Sequence, residues 1–118
     1  MAMIIEFPSK KKEIASLTDL LEAVERPWRS VLHEPVIAVQ MARVRFAAQT
    51  LSGLLKKSPA KISVDWLLSL TAADLKDMAL RIAATDRREF LKATRMLIKH
   101  AQFHRDNESK DALVDFGW

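Results

Sequence analysis

Glycine is almost absent from this chain: Gly53 and Gly117 are the only two among 118 residues. Hairpin turns and phosphate-binding loops depend on glycine, because other residues rarely adopt positive φ angles. The four prolines, at positions 8, 27, 35 and 59, separate segments that are long enough for helices. The sequence therefore predicts an all-α fold, a compact bundle of about five helices in one domain with a modest core.

Three segments of the chain differ in composition. Residues 1–12 join the apolar run from Met3 to Phe7 to three lysines, and we expect them to form an extended N-terminal arm. Such an arm would pair with a second copy or another protein by strand addition, unless it is a frayed tail. Residues 13–105 are the predicted helical domain. Residues 106–118 carry four acids against one lysine and include Phe116 and Trp118, which predicts an acidic and aromatic tail.

Apolar residues recur at helical spacing through most of the domain. Thr71 and Asp74 have the spacing of a capping box, and Asp86 is the predicted N-cap of the last helix. Trp66 lies in a short helix, where we expect it to anchor the core. The helices predicted from these patterns cover about 14–26, 35–57, 64–70, 72–84 and 87–105, with a helical turn between Trp28 and His33.

The helix predicted over 35–57 is the most apolar of the five. Six apolar residues repeat along it at spacings of four and three, the pattern by which one helix packs against another. Its other sides are also rich in alanine and valine, which indicates burial in the fold or in a dimer. We therefore predict a homodimer whose protein interface is formed by Ile37, Met41, Val44, Ala48, Leu51 and Leu55.

Positive charge is concentrated in residues 87–105. This segment has six Lys or Arg residues and one acid, Glu89, giving a net charge of +5, against +4 for the whole chain. Four of the basic residues follow at spacings of four, three and four, which places them in one stripe along a helix. Like charges at these spacings repel each other, so we expect an anionic partner. The predicted nucleic-acid or anion-binding residues are Arg87, Arg88, Lys92, Arg95, Lys99 and Arg105.

Several kinds of partner can neutralise the positive charge of such a helix. We favour the backbone of nucleic acid, DNA or RNA. Residues 75–94 match the helix-turn-helix pattern poorly, which argues against recognition of base sequence in the major groove. The alternative is an acidic protein surface, with the chain acting as a regulator or inhibitor that blocks it. The tail over 106–118 is a third candidate, and a solvated basic face with no partner is a fourth. A membrane-surface helix ranks last, since its apolar face is needed for the core.

Patterns for catalysis and metal binding are weak. No cysteine is present, which excludes a thiol nucleophile, a disulfide and a thiolate metal site. His100 and His104 have the i, i+4 spacing of a shared metal, but Ala101 stands where a metalloprotease helix has its glutamate. No apolar run is long enough to span a membrane. We therefore expect a non-enzymatic, soluble cytoplasmic protein without a cofactor or metal.

Overall fold

The computed structural model describes residues 14–106, which fold into five α-helices and two 3₁₀ turns, Arg26–Val31 and Pro59–Lys61. The only extended pairing within this range is an isolated antiparallel bridge between Ser16 and Ser63. The predicted all-α fold of about five helices is confirmed, whereas the predicted arm and all of the tail except Asp106 lie outside the described range. The helices are α1 (Leu17–Glu25), α2 (Pro35–Leu55), α3 (Val64–Leu68), α4 (Ala72–Ala79) and α5 (Ala84–Asp106).

Side-chain caps fix the first turn of three helices. The Ser16 hydroxyl accepts the N–H of Asp19 at 3.2 Å and begins α1. In the same way the Ser63 hydroxyl accepts the N–H of Trp66 at 3.1 Å and begins α3. A cap of this kind typically stabilises a helix by about 1 kcal/mol.

The capping box predicted before α4 is confirmed. The Thr71 hydroxyl accepts the N–H of Asp74 at 3.1 Å, and the Asp74 carboxylate accepts the N–H of Thr71 at 3.0 Å. Two backbone donors at the helix start are thereby paired reciprocally. Aspartate therefore serves here in the place that glutamate usually takes.

The end of α2 lies two residues earlier than predicted. Pro35 occupies the first turn as expected, but the helix ends at Leu55 because Lys56 is left-handed, with φ 55° and ψ 41°. This turn lets the N–H of Lys57 donate to the carbonyl oxygen of Ser52 at 3.0 Å, the bond of a Schellman motif. Glycine usually occupies the left-handed position at the end of a helix. Here that position is occupied by Lys56 and not by Gly53.

The junction between α4 and α5 also differs from the prediction. α4 ends at Ala79, and the chain turns through residues 80–83, where the N–H of Ile82 donates to the Ala79 carbonyl at 3.1 Å. α5 then begins at Ala84, so the prediction of Asp86 as its N-cap is wrong. Asp86 lies instead in the first turn, where a carboxylate still interacts favourably with the helix dipole.

The core lies between α2 and α5, and the other three helices pack around this pair. The two helices run in the same direction. Arg43 in the first half of α2 pairs with Glu89 in the first half of α5, and the last turns of both helices lie beside residues 59–66. Each large side chain that is fully buried contributes about 1.5–3 kcal/mol through removal from water. The largest of these apolar side chains are Phe90, Leu17, Leu20, Met41, Leu51, Leu67, Leu97, Val24 and Val44.

The six apolar residues of α2 that were predicted as a protein interface form a seam that faces this core. Met41, Val44, Ala48 and Leu51 are each at most 2% exposed in the single chain. Ile37 and Leu55, at the two ends of the seam, are half-buried and pack against the same core. The seam therefore packs within one chain, and its four buried side chains cannot serve as the predicted protein interface. Homodimerisation itself stays a prediction, without these four residues as its basis.

Candidate polyanion-binding surface

The solvent face of α5 is formed by four of the predicted anion-binding residues. Arg88, Lys92, Arg95 and Lys99 are all exposed, and we call them the basic stripe. The opposite face of the helix is buried and includes Phe90, Thr94, Leu97 and Ala101. The core therefore fixes the direction in which the stripe points. At 1.5 Å per residue, the stripe is about 16 Å long.

No acid neutralises the basic stripe among the residues that the structure describes. The five ion pairs within residues 14–106 involve none of its four side chains. Glu89, the single acid of the basic segment, pairs instead with Arg43 of α2, at 3.4 Å. Four like charges thus stand next to one another along the helix, and each neighbouring pair destabilises it by about 0.2–0.5 kcal/mol.

Arg87 is bound to the protein itself. Its Nε donates to the carbonyl oxygens of Ala79 and Ile82, both at 3.1 Å, and its Nη2 lies 3.5 Å from the carbonyl oxygen of Leu80. These carbonyls lie at or just after the end of α4, where the helix dipole carries partial negative charge, and the Ala79 carbonyl also accepts the N–H of Ile82. Arg87 therefore caps α4 from the first turn of α5, with its Nε and Nη2 donors directed at backbone carbonyls of the same chain.

Arg105 also has a partner in the fold. Its guanidinium pairs with the carboxylate of Asp65 on α3, and both side chains are largely exposed. The contact ties the last turn of α5 to α3. The structure thus separates the six predicted anion-binding residues into four that form the basic stripe and two, Arg87 and Arg105, that bind groups of the same chain.

The two histidines of α5, His100 and His104, are buried inside the protein. His100 is 2% exposed and His104 is 8% exposed. Burial lowers the pKa of His100 to about 4, with the positive charges of His104 and Lys99 as smaller causes. Burial also lowers the pKa of His104. Over residues 14–106, no group of three or more possible metal ligands comes together.

Some roles could not be read from residue spacing. Glu89 belongs to the basic segment by position, but the packing of α5 against α2 directs it to Arg43. Trp66, predicted as a core anchor, packs against the core but is only half-buried, and it also lines a cavity together with Lys57 and Lys61. The short spacing between the end of α4 and Arg87 was the one available signal for its capping role.

None of the described helices is both long and apolar enough to cross a membrane. Comparison of the chain with protein-family models, with curated proteins and with solved structures gives no significant match. The class of protein is therefore defined by the fold and charged surface of residues 14–106: an all-α helical bundle in which α5 presents a row of cations to solvent.

Proposed function

We propose that this protein is a non-enzymatic binding module that engages the backbone of nucleic acid through the basic stripe, in a regulatory role. The observation that carries the proposal is the geometry of Arg88, Lys92, Arg95 and Lys99, four neighbouring exposed cations without an acid partner in residues 14–106. Phosphate groups would relieve the repulsion among these cations, and counterion release would favour the complex.

The dimensions of the stripe suit a duplex. Double-stranded DNA carries one charge per about 1.7 Å of its axis, both strands counted, so a length of duplex equal to the stripe, about 16 Å, carries roughly nine phosphate charges. Four cations on one rigid helix face can approach several of these phosphates together. Lys and Arg contacts of this kind position a protein on nucleic acid without reading its sequence. We therefore expect similar affinity for unrelated sequences.

The test compares two charge reversals of equal size. Lys92→Glu with Arg95→Glu alters the stripe, and Lys76→Glu with Arg81→Glu alters two exposed residues outside it. Both changes lower the net charge by four. We expect the first pair to abolish binding to unrelated DNA and RNA duplexes at about 50 mM salt, and the second to retain most of it. Equal loss with both pairs, under unchanged circular dichroism, would refute a role for the stripe.

A second candidate is an acidic surface on a partner protein that this chain blocks. It is favoured by the exposed apolar side chains of Val36 and Val39 on α2, which are 65% and 48% exposed. Apolar groups of this kind contribute to protein interfaces and contribute little to phosphate binding. Titration with polyglutamate distinguishes the two: tight binding of polyglutamate together with no binding of either duplex would favour the protein partner.

A further inference from the structure

A second basic surface lies at the opposite edge of the fold from the α4–α5 turn. A cavity of about 170 Å³ opens where the end of α2 meets the 3₁₀ turn Pro59–Lys61 and α3. Apolar side chains and two lysines line it together. Its lining is therefore complementary to a ligand that is both apolar and negatively charged. The lining residues are Leu55, Lys57, Lys61, Ile62, Ser63 and Trp66.

The lysines of this cavity have no acid partner within residues 14–106. Lys57 and Lys61 are both exposed, whereas Ile62 is only 3% exposed and Trp66 is half-buried. The charged groups therefore stand at the mouth and the apolar groups form the wall. A segment that binds here would place aromatic or aliphatic side chains against Trp66 and its carboxylates against the lysines.

The end of α5 lies close to this cavity. Arg105, in the last turn, pairs with Asp65, and Asp65 immediately precedes Trp66 on α3. α5 ends at the next residue, Asp106. Residues 107–118 follow Asp106 directly in the sequence, and twelve residues can span at most about 40 Å, enough to reach the cavity.

The composition of residues 107–118 matches the cavity. They contain three acids and one lysine, a net charge of −2, together with four large apolar residues. Beside the basic stripe, Thr85, Glu89 and Gln102 are exposed and polar, and the apolar side chains Leu91, Met96 and Phe103 are half-buried and pack against the core. The cavity instead combines two cations with apolar groups in one concave site, so it gives the four apolar residues of the segment a recess to enter. These four are Leu113, Val114, Phe116 and Trp118.

We propose that residues 107–118 dock in the Leu55–Trp66 cavity of their own chain and leave the basic stripe open. Aromatic side chains of the segment contact Trp66, Leu55 and Ile62, and its carboxylates pair with Lys57 and Lys61. This docking gives the acidic segment a place in the fold that does not compete with a polyanion on α5.

The full chain can be tested directly, because it contains no cysteine. A spin label is attached to Phe116→Cys, and the broadening of the tryptophan indole N–H signals is measured by NMR. We expect strong broadening of Trp66, while Trp28, in the turn after α1, stays sharp. A second label at Lys110→Cys repeats the measurement with both aromatic residues of the segment retained. Broadening of Lys92 and Arg95 amides with a sharp Trp66 would overturn the proposal.

Charge variants of the labelled protein provide the matched control. Lys57→Glu with Lys61→Glu should remove the broadening of Trp66, and Lys76→Glu with Arg81→Glu should preserve it. Mixing spin-labelled chains with isotope-labelled, unmodified chains tests the source of the segment. Broadening of Trp66 in that mixture would mean docking between two copies and would overturn docking within one chain.

Discussion

The Nε of Arg87 donates to the carbonyl oxygen of Ala79 at 3.1 Å, so the first turn of α5 caps the last turn of α4. Arg88, the next residue, points to solvent and belongs to the basic stripe. Two adjacent arginines thus have separate roles, one in the fold and one on the surface. This separation can be measured by changing each of them alone.

Arg87→Met should lower the free energy of unfolding by about 1–3 kcal/mol, because it leaves the carbonyls of Ala79 and Ile82 without their charged donor. Arg88→Met is the matched control and should change stability by less than about 0.5 kcal/mol. Urea denaturation measures both. Equal stability of the two variants would show that the Arg87 contacts contribute nothing to the fold.

Arg95→Gln should stabilise the protein by about 0.5 kcal/mol at low salt and weaken polyanion binding. Arg95 has Lys92 three residues before it and Lys99 four residues after it, so its removal relieves two like-charge pairs. Lys92→Gln should stabilise less, since Lys92 also has Glu89 three residues before it. The gain should fade at 1 M salt, where charges are screened within about 3 Å. Loss of stability in Arg95→Gln would contradict the claim that Arg95 repels Lys92 and Lys99 in the folded protein.

Acidification should destabilise the protein through the buried histidine His100. Its pKa is about 4 in the folded protein, below the ordinary value of 6.5, so the unfolded chain binds more protons between these values. Stability should therefore fall as the pH drops from about 6.5 to about 4, by up to about 3 kcal/mol from this residue. The lowered pKa of His104 acts in the same direction.

The variant His100→Leu should remove most of that loss, and His33→Asn, at an exposed position, should retain it. Denaturation at several pH values measures the effect. If His100→Leu folds poorly, NMR titration of the His100 ring in the unmodified protein gives its pKa directly. A His100 pKa at or above 6.5 would contradict the prediction.

Lys56→Gly should raise the free energy of unfolding by about 1 kcal/mol. Lys56 is the one non-glycine residue with positive φ among residues 14–106, and glycine adopts this conformation without steric cost. Lys56→Ala is the control, because it removes the same charge at the same position and keeps a Cβ at the left-handed site. Thermal or urea unfolding distinguishes the two, and a gain of equal size in both variants would point to charge and not to backbone conformation.

Residue spacing predicted the elements that repeat regularly. The period of α5 placed Lys92 and Arg95 in one stripe, and the structure has them together on the solvent face, opposite the buried Phe90 and Leu97. Local signals also identified the Thr71–Asp74 capping box. These features depend only on residues within one or two helical turns, so the sequence contains all the information that they need.

Other features depend on how the helices meet. The seam through Met41 and Leu51 has the same period whether its partner is α5 of the same chain or a second copy, so spacing cannot choose between them. Arg87 caps α4 only because the turn over 80–83 brings the two helices together. The end of α2 was misplaced because a lysine, Lys56, occupies a position where glycine is the usual signal.

The most direct test of the central claim is the salt dependence of duplex DNA binding, measured by fluorescence anisotropy between about 50 and 200 mM salt. Four phosphate contacts predict a slope of log K against log salt of about −3.6, and Lys92→Gln with Arg95→Gln should reduce it to about −1.8. Lys76→Gln with Arg81→Gln should leave the slope unchanged. No binding at 50 mM salt, or a slope that the stripe variant does not alter, would contradict a nucleic-acid backbone as the partner of the basic stripe.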